Sequence, residues 1–186
     1  GHTMDPLTPC EDAQSRVGGP QAAAELAARL RQRAEEASQH LRLRLSTQIV
    51  VTGLDRLPGY AAVCNALPPE VLGQAVGFRV PAGTLVIIDE VLGQMAQRLQ
   101  ALRMALLAQQ CDAQGRLAVH EFFSHWLALQ EGLSAFLKRL FAPSAAPFRL
   151  RGRALYFAGT PAAGGRQPAA FAADLFARFF PVERAY

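Results

Sequence analysis

Thr84 to Gln110, TLVIIDEVLGQMAQRLQALRMALLAQQ, is the stretch whose reading decides the fold. Its Leu85, Ile88, Leu92, Met95, Leu99, Leu102 and Leu106 step by three and four without a break, the heptad seam of a long amphipathic helix. The same residues open with LVIIDE, a hydrophobic run closed by paired acids, which would suit a nucleotidase strand with Asp89 on magnesium and Glu90 on a water. That chemistry also needs a phosphate loop. The chain has no GxxxxGKS/T, and its only lysine, Lys138, falls inside a second helical pattern rather than after a glycine-rich turn. The stretch is therefore read as a structural helix with Thr84 as its N-cap and Asp89 and Glu90 in its early turns, where the helix dipole favours carboxylates. The β-branched run Val86 to Ile88 leaves open a strand, with the helix starting near Asp89.

Working outward, Val119, Phe122, Trp126, Leu129, Leu133, Phe136 and Leu140 repeat the same spacing after a short CDAQGR link, and Phe123 and Leu137 widen the apolar face. Two helices joined so tightly should form an antiparallel hairpin over 84–141. Pro20 suits the first turn of a helix in which Ala23, Leu26, Leu30, Ala34, Ala37 and Leu41 form a narrow apolar stripe. STQIVVTGL and Val76 to Val80 read as strands. Pro58-Gly59 and the pair Pro68-Pro69 punctuate short helical pieces between them. A third strand, FRLRGRALYF, alternates Arg149, Arg151 and Arg153 with Phe148 and Leu150, placing charge on one face and apolar groups on the other. Pro168 can start a last short helix with Phe171, Leu175 and Phe179 on one face. The predicted class is an α-rich α+β fold: a long antiparallel helical hairpin plus an N-terminal helix packed with a small, about three-stranded sheet.

The chain has 186 residues, 51% of them hydrophobic, enough for one domain with a core of its own. Residues 1–19 read as a tag remnant, Gly-His-Thr, followed by a flexible leader, and 20–186 as a single globular domain. Three cysteines, Cys10, Cys64 and Cys111, show neither CxxC spacing nor an even count, which speaks against a disulfide framework or zinc site and for a reducing, cytoplasmic setting. No apolar run has the length of a membrane span.

Catalytic chemistry finds little footing. HEFFSH at 120–125 has one residue too many for the zinc-protease pattern HExxH: on a helix His120 and His125 diverge by about 140°. Glu121 and His125 share a face and read as a surface pair. Ser124 and Ser134 lie within helices rather than on a sharp nucleophile turn, and Cys64 and Cys111 read as small buried hydrophobes. GTPAAGGRQ lacks the order of a dinucleotide loop. No catalytic, cofactor-binding or metal-ligating residue is assigned, no cofactor or small-molecule substrate is expected, and an enzyme is not the favoured class.

What remains is charge. At a formal +4, all 19 basic side chains but one are arginines, and Arg29, Arg33, Arg149, Arg151 and Arg153 are the candidate polyanion-binding residues, with Arg31, Arg42 and Arg44 nearby. Arginines on an exposed strand also block edge-to-edge pairing, and Glu25, Glu35 and Glu36 can neutralise part of the helical group. The expected function is a non-enzymatic interaction or assembly protein, an accessory component of a larger cytoplasmic complex that docks a protein partner or a second copy on its hairpin. The alternative is a nucleic-acid-binding accessory protein using the arginines.

Overall fold

The structure, a computed structural model, describes residues 19–43, 45–80, 87–143, 150–159 and 169–179. Helices α1 (Pro20–Leu41), α2 (Tyr60–Ala66), α3 (Pro69–Gly73), α4 (Ile88–Gln109) and α5 (Ala113–Leu140) accompany strands β1 (Ser46–Val51), β2 (Val76–Arg79) and β3 (Arg151–Phe157). The fold is α-rich α+β, as the sequence predicts.

The hairpin of α4 and α5 runs antiparallel: Asp89 in the first turn of α4 meets Ser134 and Lys138 late in α5, and Arg103 meets His120 nearer the turn. Asp112 starts α5, its carboxylate accepting from the Gly115 N–H at 2.6 Å, and Arg116 Nε donates to the Gln110 carbonyl at 2.9 Å. These bonds satisfy groups that a helix terminus leaves open. The seam is buried through Leu92, Leu99 and Leu106 on α4 and Val119, Phe122, Trp126 and Leu140 on α5, with Phe123 and Leu137 widening it.

The start of α4 differs from expectation. Ile87, not Thr84, occupies the N-cap position, in extended conformation at φ −87° and ψ 102°, and no side chain caps the helix. Thr84, Leu85 and Val86 lie outside the described residues. The boundary falls between Ile87 and Ile88, where β-branched side chains lose χ1 freedom in a helix and favour extended backbone. Asp89 and Glu90 then stand in the first turn.

The sheet has the order β1–β3–β2, with β1 parallel and β2 antiparallel to β3. β3 is thus the central strand, and the edge-protecting role considered for its arginines falls away. Its second half is buried throughout, as befits a strand covered on both sides. Leu155 and Phe157 join the main core with α4 and α5, whereas Ala154 and Tyr156 pack on the opposite face with Leu175, Val50 and Ala75. The register against β1 slips at Thr47/Gln48, leaving Arg153 without a partner there, a one-residue bulge. The bulge interrupts the simple alternation predicted for 148–157.

Two further expectations are corrected. α1 packs on α5, but through Ala27 and Ser38 as its buried residues, with Ala34 and Arg31 half-buried between them; Leu30 and Leu41 of the predicted stripe are exposed. Small side chains such as Ala27 and Ser38 let two helix backbones approach closely. The last predicted helix from Pro168 is instead a bridge, Gly159 to Ala170, then Phe171 at φ 64°, then a single π-helical turn Leu175–Phe179. Phe171 and Leu175 are buried at 1% each, on opposite sides of the sheet rather than on one helical face.

Candidate functional site

The candidate arginines divide into pairs on separate elements. Arg29 and Arg33 are exposed one turn apart on the side of α1 turned away from α5, and Arg42 is exposed in left-handed conformation at the helix end (φ 53°). Arg31 has a different task. Its Nε pairs with Glu35 at 2.9 Å while Nη1 and Nη2 donate to the carbonyls of Arg139 and Pro143 at 3.4 and 3.2 Å, so one guanidinium ties α1 to the last turn of α5. That uses both its fork and its charge at the negative end of a helix. Arg151 is exposed at the start of β3 and Arg153 half-buried at the bulge; Arg149 and Arg44 lie outside the described residues.

The titratable groups form clips. Asp89 accepts from Ser134 Oγ at 2.9 Å and pairs with Lys138 Nζ at 2.7 Å; these contacts hold its carboxyl below the ordinary range. Near the hairpin turn Arg103 donates to His120 Nδ1 and, at 3.3 Å, to Gln100. His125 does not pair with the Glu121 carboxylate: its Nδ1 lies 2.8 Å from the Glu121 backbone oxygen. Burial raises the Tyr60 phenol well above its usual value, with Cys64 adding to the shift, and burial likewise raises the Cys64 thiol. Cys64 is the small buried hydrophobe expected, but Cys111 is exposed beside the hairpin turn. Among the described residues no three His, Cys, Asp or Glu side chains gather where they could hold a metal. A narrow apolar crevice lies between Met95, Leu99, Trp126, Gln130, Leu133 and Phe157, and the indole N–H of Trp126 is buried without a partner.

The surface carries what the sequence reading missed. Leu30, Leu41 and Leu43 are 44%, 60% and 58% exposed, and Met104 and Leu117, level with each other on α4 and α5, are 65% and 56% exposed. Met104 stands off the heptad seam, which was a legible signal; Leu30 and Leu41 stand on the very stripe that predicted burial.

The sequence model of one protein family, the IcmF-related N-terminal domain, matches residues 17–185. The chain belongs to this family. It is also 30% identical over 135 residues to the type VI secretion system component TssM1 of Pseudomonas aeruginosa, an alignment that covers 69% of this chain and 12% of that protein. The chain thus spans a small part of that relative's length. No solved structure matches it. Within this IcmF-related N-terminal domain, the match takes in all the described elements, from α1 through the π-helical turn. Among the described residues no helix is long and apolar enough to cross a membrane.

Proposed function

We propose that the chain is an accessory assembly domain of a protein secretion complex, acting as a docking platform rather than a catalyst. The observation that carries this reading is the family match over residues 17–185, together with similarity to a protein named as a type VI secretion system component. The geometry is compatible with it. A hairpin clipped at both ends, by Asp89–Lys138 and by Arg103–His120, offers a stiff scaffold, while its outer surface carries the exposed Met104 and Leu117 and α1 beside it the exposed Leu30 and Leu41. Stiffness lowers the ordering cost of binding. We place the domain in the cytoplasm, for which the free Cys64 and Cys111 are the support.

The test is genetic. The segment for residues 20–179 is deleted in frame from its gene in the organism that carries it, and exported protein is measured in the medium. Secretion should fall to the background of a secretion-deficient strain while the shortened protein still accumulates. Normal secretion overturns the reading.

A further inference from the structure

We propose that the outer flank of α1 is a docking surface for an acidic, leucine-bearing helix of a neighbouring protein domain. The idea deepens the assembly reading and rests on it for the existence of a protein partner. Leu26, Leu30, Arg33, Ala37 and Leu41 recur by three and four, a stripe turned roughly 90° from the line Ala27, Arg31, Ala34 and Ser38 that faces α5. Leu30 and Leu41 are open to solvent at 44% and 60%, with Ala37 exposed between them, and Leu43 just past the helix end is 58% exposed. The span from Leu30 to Leu41 is about 16 Å, three helical turns, the length that a partner helix fills with anchors at i, i+3 or i+4, i+7 and i+11.

Charge selects the occupant. Arg29 and Arg42 border the stripe and Arg33 stands within it, all exposed and none with its guanidinium bonded to another described residue. Of the neighbouring acids, Glu35 pairs with Arg31 and Glu36 accepts from Gln32, while Glu25 stands exposed one turn before Arg29. A second copy docked face to face would set these arginines against one another. A nucleic acid would leave the leucines unused. A membrane surface would meet Glu25 and Glu36 on the same helix, with no aromatic residue to seat in the interface. An amphipathic helix rimmed by carboxylates satisfies both the leucines and the guanidinium forks.

The test uses the 186-residue chain and four labelled probes: a helical peptide with a leucine stripe rimmed by glutamates, its lysine-rimmed counterpart, vesicles rich in phosphatidylglycerol, and a mixed-sequence oligonucleotide. The glutamate peptide should bind, more weakly as salt rises, and the other three should not. Leu30→Ser with Leu41→Ser should weaken binding about tenfold or more. Arg29→Glu with Arg33→Glu should abolish binding of the glutamate peptide and create binding of the lysine peptide, a gain that loss of folding cannot imitate. No binding of the glutamate peptide, equal binding of both peptides, or preference for vesicles or oligonucleotide overturns the proposal. If in-frame deletion stops secretion but Arg29→Glu with Arg33→Glu does not, this surface is wrong and the assembly reading stands.

Discussion

Asp89 is a surface carboxylate whose neighbours decide its chemistry. Lys138 and Ser134 stabilise its charged form, so its folded pKa lies below the unfolded value. The stability it contributes is therefore present above the unfolded pKa of about 3.9 and is lost as pH falls through the lower folded value. A carboxyl-detected NMR titration should place its midpoint below that of an ordinary aspartate, and Lys138→Met should move the midpoint upward. Cysteine reactivity gives a second residue-scale prediction. Burial raises the Cys64 thiol away from its reactive form, whereas Cys111 is exposed. In a Cys10→Ser background, a thiol reagent should label one cysteine quickly under native conditions, and peptide mapping should locate it at Cys111; equal labelling of both would contradict the packing around Tyr60. Gly59 shows the same dependence on surroundings, for at φ 79° it abuts α5, and a Cβ there would overlap the Ala118 carbonyl. Gly59→Ala should cost roughly 1–3 kcal/mol or more in denaturant unfolding.

At the scale of the element, a helix end is a matter of who satisfies the free backbone groups. α5 is held at both ends, by Asp112 at its start and by Arg31 of α1 at its finish. Asp112→Ala should lower stability by about 1 kcal/mol, as losing an N-cap does, without altering the fold seen by circular dichroism. Arg31→Met should loosen α1 from α5, visible as faster amide exchange along α1 with α5 itself still protected. α1 also explains why its own stripe misled. Periodicity marks an apolar face, but α1 meets α5 through its buried Ala27 and Ser38, so the leucines fall beside the contact rather than in it. β3 was legible as a strand from its alternation and aromatic end, yet its rank as the central strand was not, since pairing order depends on chain segments far away.

Over the whole molecule, one aromatic cluster joins the parts. Trp126 lies among Phe122, Phe123, Phe157 and Phe171, ring centroids 5.5, 6.1, 5.4 and 6.1 Å away, bringing together α5, β3 and the segment before the π-helical turn. Phe122→Ala removes a fully buried ring from this cluster and should destabilise the chain by about 3–5 kcal/mol in equilibrium unfolding. A loss under 1 kcal/mol would show that the cluster is not the common core. The sequence by itself determined the elements whose signals are local: the two heptad helices and their antiparallel return, the proline-opened α1, three short strands, and carboxylates in the early turns of α4. Each follows from a periodicity, a cap or a backbone restriction within a few residues. Only the tertiary structure decided which face of α1 is covered, that β3 sits between β1 and β2, that Arg31 caps α5 while Arg29 and Arg33 stay exposed, and that Phe171 turns left-handed instead of opening a helix. Those outcomes depend on the shape and charge of surfaces contributed by distant segments, and side-chain periodicity specifies a face without specifying what will meet it.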